Sequence, residues 1–329
     1  MKSTLKKRWM AVLMILTMAA LAPSAVSAKD PLFNQCQTIQ MIVPYTAGGA
    51  GDVGARLLAP FMAEDLGLPV QVSNVPGAGS QLGITEMAKA KPDGCTIGWT
   101  HLPATINIYL DPSRQAVFNR QKLSPIAMYV IDPGAIYVKG DSPINSLQDL
   151  VAEAKKRPGK VSISTSGVMS DGHLLLLELQ QAAGVKFAMV HGKGGSESLA
   201  DLMGGHVSGM HQNLAGNPGL VASGKIKIIT VFTEKRVALY PNLKTAAEEG
   251  YPIINATSRA ISAPGGVPKA VIDRLSASVG KAMASADFKA KAEKLGLPLA
   301  YMDAKTLGEY WEKMEKTYAP LVADYLKNK

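Results

Sequence analysis

Residues 38–66 read TIQMIVPYTAGGAGDVGARLLAPFMAEDL and join an apolar run to a helical pattern through a glycine-rich turn. The apolar run at 38–45 predicts a β-strand, and the apolar residues of 52–66 recur at helical spacing. Between them, Gly49, Gly51 and Gly54 have the spacing of a dinucleotide-binding fingerprint. A strand followed by a tight turn and a helix is the repeating unit of a parallel α/β sheet.

The next predicted strand, residues 69–74, argues against a dinucleotide. In a nucleotide-binding fold this strand ends near an acidic residue that holds the ribose hydroxyls. Here it ends in Asn74, and no acidic residue occurs between Asp65 and Glu86. The turn keeps the property that the fingerprint uses, because unpaired N–H groups at a helix N-terminus attract any small anion. It therefore predicts an anion site with no cofactor.

Strand, turn and helix recur along the rest of the chain in two series. The first series includes a strand at 96–100, and the second begins after about residue 130 with a strand at 135–140. Three further turns at strand ends are rich in glycine, serine or threonine: residues 74–80, 164–170 and 191–198. Such turns gather at the carboxyl ends of the strands in doubly wound sheets, where ligands bind. Two turns from each half predict a cleft between the halves.

The first 28 residues have the composition of a secretory signal peptide. A basic start precedes an apolar core from Trp9 to Ala22, and small residues lead to a predicted cleavage site after Ala28. An uncleaved membrane anchor is the alternative interpretation. The signal-peptide interpretation predicts an exported protein.

Composition gives no support to nucleic-acid binding. The net charge of the full chain is +9, part of which belongs to the leader, and aromatic residues make up 6%. A nucleic-acid-binding protein concentrates basic residues in one stripe and stacks bases on aromatic side chains. Neither feature is present in this sequence.

The two cysteines, Cys36 and Cys95, each lie just ahead of a predicted strand. If those strands are parallel neighbours, the cysteines meet at the same edge of the sheet and can form a disulfide in an oxidising compartment. Two separate buried thiols are the alternative.

Patterns typical of catalysis are weak. The five histidines have no zinc-like spacing, and no G-x-S-x-G nucleophile elbow occurs, so neither a metal site nor an enzyme is expected. Asp52 stands four residues before Arg56, which favours a helix-start cap with an ion pair over a general base.

Long stretches of the chain resemble one family. Residues 42–80 (IVPYTAGGAGDVGARLLAPFMAEDLGLPVQVSNVPGAGS), with KPDGCTIGW (91–99), STSGVMSDGHLLLLEL (164–179), HGKGGSESLADLMGGHV (191–207) and SAPGGVPKAVIDRL (262–275), are similar to the Bug-type receptors. These are the periplasmic substrate-binding proteins of tripartite tricarboxylate transporters. The similarity covers essentially the whole chain after the leader, in the same order.

The resemblance implies an α/β fold of the type II periplasmic binding class, also called a venus-flytrap. Two doubly wound, Rossmann-like lobes are joined by two crossover strands. We expect residues 29–130 and 259–329 to form the first lobe and 131–258 to form the second.

The resemblance also implies a small organic carboxylate as the ligand, either a di- or tricarboxylate or an aromatic acid. Main-chain amides, hydroxyls and waters would hold it rather than an arginine clamp, and none of the four turns contains an arginine. Carried over by position, the binding residues are Tyr45, Thr46, Gly48, Gly49, Ala50 and Asp52 from one lobe, Ser166, Gly194, Gly195 and Ser196 from the other, and Asn74, Gly79 and Ser80 on the floor.

The chain departs from the family pattern at three places. It has His191 where an aromatic residue is common, and Thr100 with His101 where a small residue or valine is common; Asn213 stands near the far wall. We expect these residues to contact the distal end of the ligand.

The resemblance therefore implies a monomeric periplasmic receptor that delivers its ligand to a permease of one small and one large membrane subunit. A receptor that feeds a sensor kinase and an exported enzyme acting on a carboxylate are the alternatives.

Overall fold

The computed structural model describes residues 28–45, 47, 50–192 and 195–327; for Ala50 it describes the backbone. The predicted signal peptide lies outside these residues apart from Ala28. Across the described part of the chain, no helix combines the length and the apolarity needed to span a bilayer.

The described residues form ten strands and ten α-helices. The strands are β1 (Ile39–Val43), β2 (Val70–Asn74), β3 (Thr96–Leu102), β4 (Leu123–Lys139), β5 (Ser162–Thr165), β6 (Ala188–His191), β7 (Gly209–Asn213), β8 (Ile226–Val231), β9 (Ala256–Pro264) and β10 (Leu299–Met302). The helices are α1 (Ala50–Leu66), α2 (Gln81–Lys89), α3 (Ala104–Leu110), α4 (Leu147–Lys156), α5 (Asp171–Ala183), α6 (Gly195–Met203), α7 (Pro218–Ala222), α8 (Lys269–Ala284), α9 (Ala286–Lys294) and α10 (Ala304–Lys327).

The strands divide into two sheets that share β4. The order is β2-β1-β3-β9-β4-β7-β5-β6, with β10 and β8 also paired to β4. In the first lobe β1, β2 and β3 are parallel, and in the second β5 is parallel to β6 and β7. Parallel strands joined through helices bring the turns at their carboxyl ends to one edge. The two-lobed α/β architecture is thus confirmed.

Strand β4 is the main connection between the lobes. Its first part pairs with β9 as far as Pro133, and from Gly134 onward it pairs with β7 and β8. The predicted strand at 135–140 is therefore only the second half of a 17-residue strand. Pro125 obscures the strand pattern, and the pairing with β9 shifts register beside it, as expected for a proline at a bulge. The lobe boundaries near 130 and 258 lie close to this change of partners and stay a prediction.

A disulfide joins Cys36 to Cys95, with their Cα atoms 5.4 Å apart. It forms because β1 and β3 are parallel neighbours, with Gln40 opposite Thr96, and each cysteine lies just ahead of its strand. The predicted pairing is confirmed.

The C-terminal helix α10 contacts both lobes. Leu307 and Trp311 are buried against the first lobe, together with Leu123 and Met128 of β4. One end of the helix continues to the second lobe, where Tyr318 and Val322 pack on Leu174 of α5. This helix is therefore a second connection across the cleft.

Candidate functional site

A cavity of about 530 Å³ lies between the lobes, a volume within the range of small-molecule sites. The first lobe lines it with Tyr45, Gly51, Gly79, His101, Leu102, Pro103, Ala104, Asn107 and Arg114; the second lobe with Ser166, Gly167, Val168, Met169, Ser170, Asp171 and Asn213; and β9 with Thr257 and Arg259. Two further concavities, of about 680 and 750 Å³, lie within the second lobe. The interlobe cavity is the candidate site because turns from both lobes and buried charged groups converge on it.

The turn between β1 and α1 is held by a closed set of hydrogen bonds. The Nε of Arg56 donates to both carboxylate oxygens of Asp52, at 2.9 and 3.0 Å. Asn74 at the end of β2 donates to the Tyr45 carbonyl oxygen and to Asp52 Oδ1, both at 3.0 Å. An Nη of Arg56 donates in turn to the Asn74 Oδ1. Asp52 and Asn74 thus brace the turn with their side chains.

Gly51 and Gly54 are needed for packing at the start of α1. A Cβ atom on Gly51 would lie 2.8 Å from the Trp99 ring, and one on Gly54 would lie 2.7 Å from the Tyr129 hydroxyl. These glycines let the helix approach β3 and β4 closely. Close packing therefore explains Gly51 and Gly54, two of the three glycines whose spacing resembles the dinucleotide-binding fingerprint.

The turn between β2 and α2 has an unusual backbone. Four consecutive residues have positive φ: Gly77 (135°), Ala78 (47°), Gly79 (60°) and Ser80 (81°). Residues other than glycine rarely adopt this region, and when they do they concentrate at functional sites. Gly79 lines the cavity, and Arg114 donates to the Ala78 carbonyl oxygen at 3.3 Å.

The turn at 164–170 faces the cavity from the second lobe. Met169 has a φ of 60°, and its N–H donates to the Nδ1 of His173 at 2.9 Å. Its carbonyl oxygen accepts a 2.7 Å hydrogen bond from the Asn107 side chain, which belongs to the first lobe. This bond links the two lobes directly across the cleft.

His101 lies on the wall of the cavity as a neutral group. Its ring packs edge-to-face on Tyr45, with 4.6 Å between ring centroids. Burial, aided by the nearby Arg259 charge, lowers the pKa of His101 to about 3. Its Nδ1 is buried with no hydrogen-bond partner among the described residues. At neutral pH this side chain therefore adds no charge to the cavity wall.

His191 lies behind the 164–170 turn rather than on the cavity wall. Its Nδ1 is 2.8 Å from the Thr165 hydroxyl, and its ring packs on His173 with 4.4 Å between centroids. Partial burial lowers the pKa of His191.

The remaining predicted site residues divide into three groups. Those on the cavity wall are Tyr45, Gly79, Ser166 and Asn213. Those that are described but do not line the cavity are Asn74, Ser80, Thr100, Gly195 and Ser196; the hydroxyl of Thr100, for example, is 2.9 Å from that of Ser262. Thr46, Gly48, Gly49 and Gly194 lie outside the described residues, as does the side chain of Ala50.

Sequence analysis missed the polar groups that lie around Asn213 at the crossover between the lobes. The hydroxyl of Thr257 on β9 donates to Asp171 Oδ2 at 2.6 Å. The Asn213 amide donates to the Asp132 carbonyl oxygen at 2.8 Å and to Asp171 Oδ2 at 3.4 Å. Arg259, also on β9, is nearly buried and lies 3.6 Å from Asp132 Oδ2. The signal available in the sequence was an arginine within the apolar run ATSRAISAP, since arginine is almost never fully buried unless paired.

No group of three or more His, Cys, Asp or Glu side chains within residues 28–45, 47, 50–192 and 195–327 has the arrangement of a metal site.

Comparison with known proteins gives consistent results. A family model described as "Tripartite tricarboxylate transporter family receptor" matches residues 54–324. The UPF0065 protein in the gbd 5′ region of Cupriavidus necator is 32% identical over 295 residues, which cover 88% of each chain. Among solved structures, the periplasmic binding protein BugD is 30% identical with a TM-score of 0.71, covering 87% of this chain and 97% of that one. R. palustris Rpa4515 with adipate is 26% identical with a TM-score of 0.73, covering 87% and 96%. The expected resemblance and fold class are confirmed.

Proposed function

Because the chain belongs to the tripartite tricarboxylate transporter receptor family, we propose that it captures a small organic carboxylate between its lobes in the periplasm and delivers it to a membrane permease. The observation that carries the proposal is the interlobe cavity. Glycine-rich turns from both lobes border it, and hydrogen-bonding groups from both lobes line it.

The chemistry of the cavity suits an anion. The β1–α1 turn ends at the N-terminus of a 17-residue helix, where N–H groups and the helix dipole attract negative charge. Hydrogen bonds to a charged group contribute about 1.5–3 kcal/mol each. Four or five of them reach the roughly 8 kcal/mol of micromolar binding after the cost of lobe closure is subtracted.

Two further observations support the proposal. Rpa4515, a similar protein over most of both chains, was solved with adipate, a carboxylate. The composition of residues 1–28 is that of a signal peptide, which would direct export. Delivery to a permease of one small and one large subunit follows from the family's transport role and is part of the proposal.

A thermal-shift screen followed by calorimetry tests the proposed function. Each carboxylate in a panel of aliphatic and aromatic acids is matched with the amide of the same carbon skeleton. We expect at least one acid to raise the melting temperature, because a ligand that binds the folded state stabilises it, while its amide does not. Amides that bind as tightly as their acids would contradict an anion site.

The same samples separate a receptor from an enzyme. Mass spectrometry of the bound acid after prolonged incubation should recover it unchanged. Conversion of the acid by the purified protein would support the alternative of an exported enzyme.

A further inference from the structure

The guanidinium of Arg259 is a buried cation with few partners. Its side chain is 11% exposed and lies on the cavity wall. Its ion-pair contact is with Asp132, at 3.6 Å, which is too long for a hydrogen bond. A guanidinium carries five N–H donors, and none of those on Arg259 makes a hydrogen bond within the part of the chain that the structure describes.

Burial without hydrogen bonds is costly for such a group. A side chain that is only 11% exposed has lost most of its contact with water, and a charged donor gains more from a new acceptor than a neutral donor does. The side of Arg259 that is open faces the cavity. An acceptor for its N–H groups can therefore come from a molecule that occupies the cavity.

Arg259 belongs to a strand and not to one of the glycine-rich turns. It lies on β9, opposite His101 of β3 and Val130 of β4, where the chain crosses between the lobes. Thr257 lies two residues earlier on the same strand and lines the same cavity, as side-chain alternation requires. A ligand held at the β1–α1 turn would meet Arg259 with a different part of its structure.

Two carboxylates lie near Arg259, and neither accepts a hydrogen bond from its guanidinium within the described residues. Asp132 accepts a 3.1 Å hydrogen bond from the Ala215 N–H, and burial raises its pKa. Asp171, on α5, lines the cavity, and its Oδ2 accepts a hydrogen bond from the Thr257 hydroxyl. Asp171 repels an anion placed beside it, so a second acidic group is directed toward the guanidinium. Arg114 borders the cavity near Gly79.

We propose that Arg259 is a specificity-determining residue that binds a second anionic group of the ligand, so that the receptor selects acids with two acidic ends over monocarboxylates. The proposal rests on the proposed function, because it takes the first carboxylate to be held at the glycine-rich turns.

Isothermal titration calorimetry with matched ligand pairs tests the proposal. The dicarboxylates run from succinate to pimelate, with terephthalate as an aromatic member, and each is paired with the acid in which a methyl group replaces one carboxylate. For the wild type we expect the best dicarboxylate to bind about 10- to 150-fold more tightly than its partner, which is the effect of one charge-assisted hydrogen bond. A bidentate contact would exceed this range.

Three variants locate the source of the preference. Arg259→Gln should lose most of the preference for the dicarboxylate while binding the monocarboxylate as the wild type does. Arg259→Lys keeps the charge without the planar fork and should retain part of the preference. Arg236→Gln, which removes an exposed arginine paired with Glu248 in the second lobe, is the matched control and should leave the preference unchanged.

The possible outcomes are distinct. Equal affinity for both members of every pair in the wild type overturns the second-anion proposal, even if a variant fails to fold. Equal losses for both ligands in Arg259→Gln overturn it as well, because Arg259 would then hold the only carboxylate. If the wild type binds no carboxylate at all, the proposed function itself fails.

Discussion

Arg56 and Arg259 both lie close to the cleft, but their environments are opposite. Arg56 is 52% exposed, and its guanidinium donates to both oxygens of Asp52 and to Asn74. Arg259 is 11% exposed, and among the described residues its ion-pair partner is Asp132, at 3.6 Å. In most proteins the buried arginine is the one with more partners, because desolvation must be offset.

The contrast indicates two uses of charge around one cavity. The Asp52 network has its donors and acceptors matched, so it can fix the shape of the β1–α1 turn before any ligand arrives. The Arg259 side chain has unused donors, so it can contribute to binding. Substitutions in the matched network should therefore affect stability, whereas substitutions at Arg259 should affect ligand preference.

The largest expected effect on stability is from Asp52→Ala. This change removes the acceptor of Arg56 and one acceptor of Asn74, so we expect a loss of about 2–3 kcal/mol in the free energy of unfolding. Urea denaturation at neutral pH measures it. Arg56→Gln is the comparison variant and should cost less, since Arg56 is half exposed and water replaces its hydrogen bonds. A larger loss for Arg56→Gln than for Asp52→Ala would contradict the central role of the carboxylate.

A slightly smaller effect is expected from Gly54→Ala, which tests the packing explanation of the glycine pattern. The new methyl group would lie against the Tyr129 hydroxyl and the Trp99 ring, and overpacking of this kind costs about 1–3 kcal/mol. The free energy of unfolding of Gly54→Ala should increase again when Tyr129→Phe is added, since the hydroxyl is the closest atom. No recovery in the double variant would mean that α1 itself, rather than this contact, requires glycine.

Acid should destabilise the protein through its uncharged histidines. The pKa values of His101 and His173 are about 3 and 4 in the folded state, against about 6.5 when unfolded. As the pH falls below 6.5 the unfolded chain takes up these protons and the folded chain does not, so stability falls by about 1.4 kcal/mol per pH unit for each group.

Asp132 acts in the opposite direction, because burial raises its pKa and the folded state therefore holds its proton more tightly. The measurement is urea denaturation between pH 7 and pH 5 for the wild type and His101→Gln. The slope of unfolding free energy against pH should be smaller in the variant, by an amount that approaches one proton at the acid end of this range. Equal slopes would show that His101 is not kept neutral by the fold.

The smallest expected effect on stability is from Arg259→Met in the absence of ligand. The variant takes the counter-ion from the buried Asp132, but the pair is long, and Asp132, whose pKa burial already raises, can take up a proton instead, so we expect a loss of about 1 kcal/mol. Thermal denaturation with and without the best dicarboxylate measures it. A loss of stability as large as that of Asp52→Ala would show that Arg259 stabilises the fold as Asp52 does, and the proposed difference between Arg56 and Arg259 would be wrong.

Much of the fold could be predicted from local patterns. The strand, turn and helix in residues 38–66 specify a unit whose parallel pairing follows from chirality and the right-handed crossover rule. The same reasoning about parallel neighbours predicted that Cys36 and Cys95 could form a disulfide. The long strand β4 could not be recognised, because Pro125 and Pro133 interrupt its pattern and the pairing that accommodates them comes from distant residues of β9.

Part of the lining of the candidate cavity could be predicted from the turns, but the residues on strand faces could not. The glycine-rich turns could be found from their composition, and Asp52 could be interpreted as a brace from its spacing to Arg56. Arg259 could not be assigned, because a residue on a strand faces the cavity or the core according to its pairing. His191 pairs with Thr165 across β5 and β6, a register that the sequence does not display.

The position of Trp99 gives the molecule an optical property. Its indole is buried beneath Gly51 and Gly54, and its ring centroid lies 5.4 Å from that of His101 on the cavity wall. Trp99 and Trp311 are the tryptophans that follow the predicted leader. Because indole emission responds to the hydrogen bonding and polarity of its neighbours, a Trp311→Phe protein should change its fluorescence when a ligand contacts His101. The receptor would then report its own occupancy without an attached dye.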